Sequence, residues 1–174
     1  LFAPMEFIAD LDHYDAVDFL RVRRVLECDA AASAARLITL AQVEAAQAQL
    51  DRAMDLLTGS ADPDHEAVLA CDWAFHGVIA QAGGNPVTEA LLEVLAGRTR
   101  QLRLWHGQVH RPALRRAVDE HAGILAALRE GDADRARARM QVHLFGVEDF
   151  VRSHRADDAA YDTADGAADG ATPP

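Results

Sequence analysis

An antiparallel bundle of about six helices, all-α, is the fold this sequence predicts, and three observations predict it. Apolar residues recur at three- and four-residue spacing through every long segment, no alternating stretch is long enough for a strand, and capping signals divide the chain at short connections. With 174 residues, half of them hydrophobic, the chain is long enough for one domain with a real core and too short to expect two.

The first helix is expected from Asp12 or Asp15 to Leu37. The second opens at Thr39, with Gln42 three residues on as the partner of a capping box, and stops near Gly59. A third begins with Asp62 as N-cap and Pro63 in the first turn and ends at Gly83 and Gly84. Asn85 then caps a fourth helix that begins with Pro86, making GGNP a tight reversal. Helix five runs from near Pro112 to just before Gly131, and helix six from Asp132 until it fades near His154. From about residue 155 the composition turns to Ala, Asp and Gly with almost nothing to bury, which reads as a disordered acidic tail. Residues 14–154 read as the folded domain.

Composition excludes several functions. Lys and Arg number 17 against 28 Asp and Glu, a formal net charge of -11, and the arginines are scattered, so the chain by itself is a poor binder of nucleic acid. Cys28 and Cys71 lie inside helical patterns without metal-knuckle or disulfide spacing and read as reduced core thiols. No apolar run approaches membrane-spanning length and the first residues lack a signal-peptide pattern, so a cytoplasmic protein without membrane partners is expected. The opening on Leu1 rather than a methionine points to a longer product.

The informative residues are polar ones placed where core belongs. Asp72 has Val68, Leu69, Phe75 and Ile79 three or four positions away, so its carboxylate sits in the middle of an apolar stripe, and His76 lies one turn further on the same face. His121 interrupts the series Leu114, Val118, Ile124, Leu125 and Leu128, and His143 the series Ala136, Met140, Val147 and Phe150. Each histidine alone reads as a core residue bonded to a carbonyl. Four such groups from three helices, with no shared partner, would cost several kcal/mol. One carboxylate oxygen and three imidazole nitrogens suit a borderline divalent cation, zinc first, with nickel, cobalt or manganese as alternatives. The remaining histidines, His13, His65, His106, His110 and His154, read as surface.

Two arginines break the same pattern. Arg23 has Phe19, Leu20 and Leu26 as helical neighbours, and Arg98 continues the stripe Leu91, Leu95, Leu102 and Trp105. Each is either a long side chain whose head reaches water, Arg23 with Glu27 as its partner four residues on, or a guanidinium fork set to receive the carboxylate of a bound acid. Arg21 and Arg24 read as solvated.

The combination VRRVLE, DWAFHGVIAQAGGNP, DEHAGILAALREGD and ARMQVHLFGV resembles the FCD ligand-sensing domain of GntR-type bacterial transcription regulators of the FadR branch, in its six-helix, VanR-like variant. That resemblance covers about Tyr14 to Phe150, and it implies that residues 1–13 are the end of an interdomain linker. It implies an internal cavity in which Asp72, His76, His121 and His143 hold a metal, a small organic acid completes the coordination, and Arg23 assists. Arg98, Asn85 and Trp105 join Arg23 as candidate ligand-binding residues. Family members carry an N-terminal winged helix-turn-helix and bind DNA as dimers. That domain is not in this chain, so DNA binding is expected only through it, in a homodimer.

Sensing competes with two other functions. A metal-dependent enzyme would use the open coordination positions to activate water, but no spare general base stands among the stripe residues; Glu120 precedes His121 and is expected to point about a third of a turn away. A purely structural bundle with satisfied core histidines is the third. No catalytic residue is assigned.

Overall fold

In the computed structural model the structure describes residues 15–105 and 111–168, with side chains described at residues 15, 17–96 and 111–153. Six helices and no strand occur among them: α1 (Ala16–Leu37), α2 (Leu40–Gly59), α3 (His65–Ala82), α4 (Pro86–Trp105), α5 (Arg111–Arg129) and α6 (Ala133–Ala168). Their order and ends follow local chemistry. Asp15 accepts from the amide of Val17 at 2.8 Å, and Thr39 and Gln42 form the reciprocal capping box expected of them. Asn85 Oδ1 accepts from the amides of Val87 and Thr88. The α5–α6 turn is a Schellman motif: Asp132 N–H reaches Ala127 O, Gly131 N–H reaches Leu128 O, and Gly131 takes a φ of 70° that favours glycine.

The N-cap of α3 differs from expectation. Asp64, not Asp62, accepts from the amide of Ala67 at 2.9 Å, while Asp62 sits in a turn closed on Ser60 Oγ. Two aspartates flank one proline here, and either has the chemistry of a cap. At the other end, the backbone of α6 continues to Ala168, past the His154 at which the sequence pattern ends. Alanine-rich sequence favours helical backbone without packing, and the side chains beyond residue 153 lie outside the described residues, as do His13, His106, His110 and His154.

Helix α1 is the centre of the bundle, packing on α3, α4, α5 and α6, while α2 closes against α3 and α5. An alanine face makes this possible: Ala30, Ala31, Ala34 and Ala35 are all buried, and their small side chains admit neighbouring helices closely. The main core joins that face to Leu50, Phe75, Ile79, Ile124, Leu125, Leu128, Met140 and Leu144. A smaller cluster, Val17, Leu20, Val147 and Val151, holds the amino end of α1 to α6. Arg24 is not solvated as its helical position predicts. It bonds the buried Glu148 at 2.6 Å and lies 4.2 Å from the centre of the Phe145 ring, because Glu148 on α6 is buried and needs a cation. Arg21, by contrast, is exposed and pairs with Asp18.

Two main chains approach closely where α3 ends. A Cβ built on Gly83 would stand 3.1 Å from Ala30 O and 3.2 Å from Ala30 Cα, both backbone atoms of α1. Gly83→Ala is therefore expected to destabilise the fold by about 1–3 kcal/mol. Gly77→Ala, in the same helix with nothing within 4 Å of the new Cβ, is expected to stabilise it by up to ~1 kcal/mol. Urea denaturation of both variants reads the difference in sign.

Candidate metal and effector site

Helices α3, α5 and α6 bring Asp72, His76, His121 and His143 to one buried point. The i, i+4 spacing stacks Asp72 and His76 on the inner face of α3, and the apolar stripes of α5 and α6 carry the other two histidines inward as they bury. One ligand atom from each of the four residues lies within 4.8 Å of the others. His76 Nε2 and His121 Nε2 are 3.1 Å apart, as are His121 Nε2 and His143 Nε2, and Asp72 Oδ1 is 3.6 Å from His121 Nε2. Phe75 stacks on the His121 ring at 4.5 Å between centroids and fixes its plane.

Carboxylates behind two of the rings decide which nitrogens carry hydrogen. His76 Nδ1 contacts Glu27 and His143 Nδ1 contacts Glu120 at 2.9 Å. A carboxylate only accepts, so both Nδ1 atoms donate and, in the neutral ring, both Nε2 atoms present lone pairs to the centre. His121 Nε2 stands between them and has at most one hydrogen to give. Burial pushes the pKa of His143 down, which keeps it neutral. Ring nitrogens held roughly 2.0–2.1 Å from one cation stand about 3.3 Å apart in a tetrahedral site and somewhat closer in an octahedral one. The observed separations of 3.1 Å therefore fit a common divalent ion, and the donor set fits the borderline metals expected from the sequence.

Glu27 was not among the sequence candidates except as an ion-pair partner, yet it joins two sites. One oxygen bonds Arg23 Nε, the other His76 Nδ1. Burial opposes its ionisation, but the Arg23 charge and the hydrogen bonds from His76 and Arg23 outweigh that and hold its pKa at about 2. The i, i+4 relation of Arg23 and Glu27 was legible; the reach of Glu27 to α3 depends on helix packing. Glu120 was also missed. It does not turn to His121 but spans to His143 on α6, and Arg116 at 2.7 Å holds its other oxygen. Burial raises its pKa, and the bonds from His143 and Arg116 more than reverse that.

Arg23 is 2 % exposed. Burial disfavours its charge, but Glu27 and Asp72 more than restore it. Among the described residues, its Nη1 has no hydrogen-bond partner. A cavity of about 330 Å³ opens beside it, lined also by Glu27, Trp73, His76, Glu89 and Glu93. A second cavity, about 470 Å³, lies between α5 and α6 on the His143 and Glu120 side. Asn85 is exposed and caps α4, and it does not line the Arg23 cavity. Arg98 and Trp105 lie on α4, where their side chains are outside the described residues.

This helical bundle with a buried three-histidine, one-aspartate cluster belongs to the FCD domain family, whose sequence profile matches residues 18–146. The chain is 31 % identical over 150 residues to the HTH-type transcriptional regulator LutR of Bacillus subtilis (strain 168), an alignment that covers 80 % of this chain and 64 % of LutR. Its fold is similar to that of McbR/YncC of E. coli, with a TM-score of 0.68 and 18 % identity over 78 % of this chain and 67 % of that one.

Removing Glu27 tests the buried relay directly. Glu27→Ala leaves the Arg23 guanidinium buried without its carboxylate, and a loss of about 3–5 kcal/mol in unfolding free energy is expected by chemical denaturation. Arg23→Met/Glu27→Met, which removes both charges, should recover a large part of it.

Proposed function

We propose that this chain is the effector-sensing domain of a GntR-type, DNA-binding transcription regulator, holding a divalent metal and a small carboxylate in its interior. The observation that carries this reading is the convergence of three Nε2 atoms and Asp72, with carboxylates behind two of the rings. With at most one hydrogen on His121 Nε2 to share, the cluster leaves a lone pair unanswered without a cation and satisfies all of them with one. The bound ion would supply positive charge and open coordination positions for an acid. Arg23, with one buried donor still to satisfy, is the residue that receives the acid's carboxylate. Zinc is the metal the donor set suits first.

Catalysis is the poorer reading. The two carboxylates nearest the cluster are each committed to a histidine and an arginine, so neither is free to take a proton from water. The relative LutR is named as a transcriptional regulator of the helix-turn-helix type, and this chain spans 64 % of its length. We carry the DNA-binding role to the whole protein, acting as a cytoplasmic homodimer. No described helix is long and apolar enough to cross a membrane.

Metal analysis of the purified chain is expected to find about one divalent ion per chain, lost in His121→Ala or His143→Ala. Glu120→Ala should keep the ion but bind it roughly 10–100-fold more weakly, since it removes the partner that orients His143. Unchanged metal content in both histidine variants would end the metal assignment.

The sensing role is tested by fluorescence anisotropy on operator DNA. At a net charge of -11 the 174-residue chain should not bind at moderate salt. A longer product carrying an N-terminal winged helix-turn-helix should bind, and its affinity should shift with acid only when Asp72, His76, His121 and His143 are intact. Acid-insensitive binding would reduce the metal to a structural element.

A further inference from the structure

The cavity beside Arg23 is not lined like a receptor for a simple acid. One arginine and three acidic residues, Glu27, Glu89 and Glu93, line it together. Glu27 is spent on Arg23 and His76. Glu89 and Glu93 lie one turn apart on α4, hence on one face, and no ion pair to either occurs among the described residues. They line the cavity from α4, whereas Arg23 and His76 line it from α1 and α3. The space between therefore has a polarity: Arg23, whose buried Nη1 lacks a partner among the described residues, and His76 at one side, two carboxylates at the other. A plain alkanoate would gain at Arg23 and be repelled by Glu89 and Glu93. Trp73 and Leu92 give the wall between an apolar, partly aromatic surface, which suits a short methylene chain and the face of a cation.

We infer that the effector is zwitterionic: a small carboxylic acid that also bears a cationic nitrogen, its carboxylate at Arg23 and its ammonium or guanidinium group at Glu89 and Glu93. This rests on the proposal that Arg23 receives a carboxylate and adds the second charge that selects among acids. The cavity volume of about 330 Å³ holds a molecule of amino-acid size and excludes large conjugates.

The test uses the 174-residue chain supplemented with zinc and two matched series of probes, ω-amino carboxylates with one to five methylenes and the n-alkanoates of the same length, titrated by calorimetry. At the best chain length the amino acid should bind on the order of tenfold more tightly than its alkanoate, the effect of one charge-assisted contact. Glu89→Gln/Glu93→Gln should erase that advantage and leave the alkanoate bound equally well or better, while Arg23→Gln should weaken both series. Both substitutions at α4 are at partly or fully exposed positions, so folding is not at stake. If alkanoates bind through Arg23 and the amino group brings nothing, the zwitterion inference is overturned and acid sensing stands. If neither series binds, or alkylamines without a carboxylate bind as well as the amino acids, the carboxylate role of Arg23 falls and this inference with it.

Discussion

The bundle is organised around polar atoms that an apolar core cannot leave unanswered. Three imidazoles and a carboxylate from α3, α5 and α6 bring their ligand atoms within 4.8 Å of one another, with Glu27 of α1 and Glu120 of α5 behind them. Each group is tolerable in the interior only because its neighbour is in place, so α1, α3, α5 and α6 cannot slide independently without exposing a charge or stranding a donor. Apolar packing alone would permit small shifts in register. The polar centre does not.

That constraint explains how the parts divide labour. The alanine face of α1 brings helices close enough for Arg23 and Glu27 to reach inward, and the caps at Asp15, Thr39, Asp64, Asn85 and Asp132 set where each helix starts and hence which residue faces the centre. The Arg24–Glu148 pair repeats the logic at the α1–α6 seam, a buried carboxylate answered by a guanidinium from the facing helix. In each case a buried or half-buried acidic side chain is answered by a cation or imidazole that another residue supplies, and these pairs orient helices more than they stabilise them.

Much of this was legible in the sequence because the signals are local. Helix ends at Thr39, Asn85 and Gly131 follow from residue chemistry within one turn, and the four cluster residues stand out because each interrupts an apolar stripe. What was not legible depends on distance between helices. Glu120 falls off the inner stripe of its own helix, and only the separation of α5 and α6 shows that it reaches His143. Glu148 and Arg24 are 124 positions apart, so helical spacing places Arg24 on the outside until α6 covers it. Asp62 and Asp64 could not be told apart by type, because both precede an acceptable first turn and only the path of the chain through Ser60 chooses between them. Periodicity by itself leaves open whether Arg23 meets Glu27 or a bound acid; the structure shows the Glu27 pair.

The contact between Gly83 and the backbone of Ala30 has a mechanical meaning. Toward its carboxyl end α1 is pinned, main chain against main chain, with no side chain between to yield. Its amino end rests on a small satellite of Val17, Leu20, Val147 and Val151, separate from the main core. Arg23 and Glu27 lie between those two supports. The helix therefore rests on two unlike seats, rigid backbone contact at Ala30 and deformable apolar side chains at its amino end, with its buried charges spanning the interval.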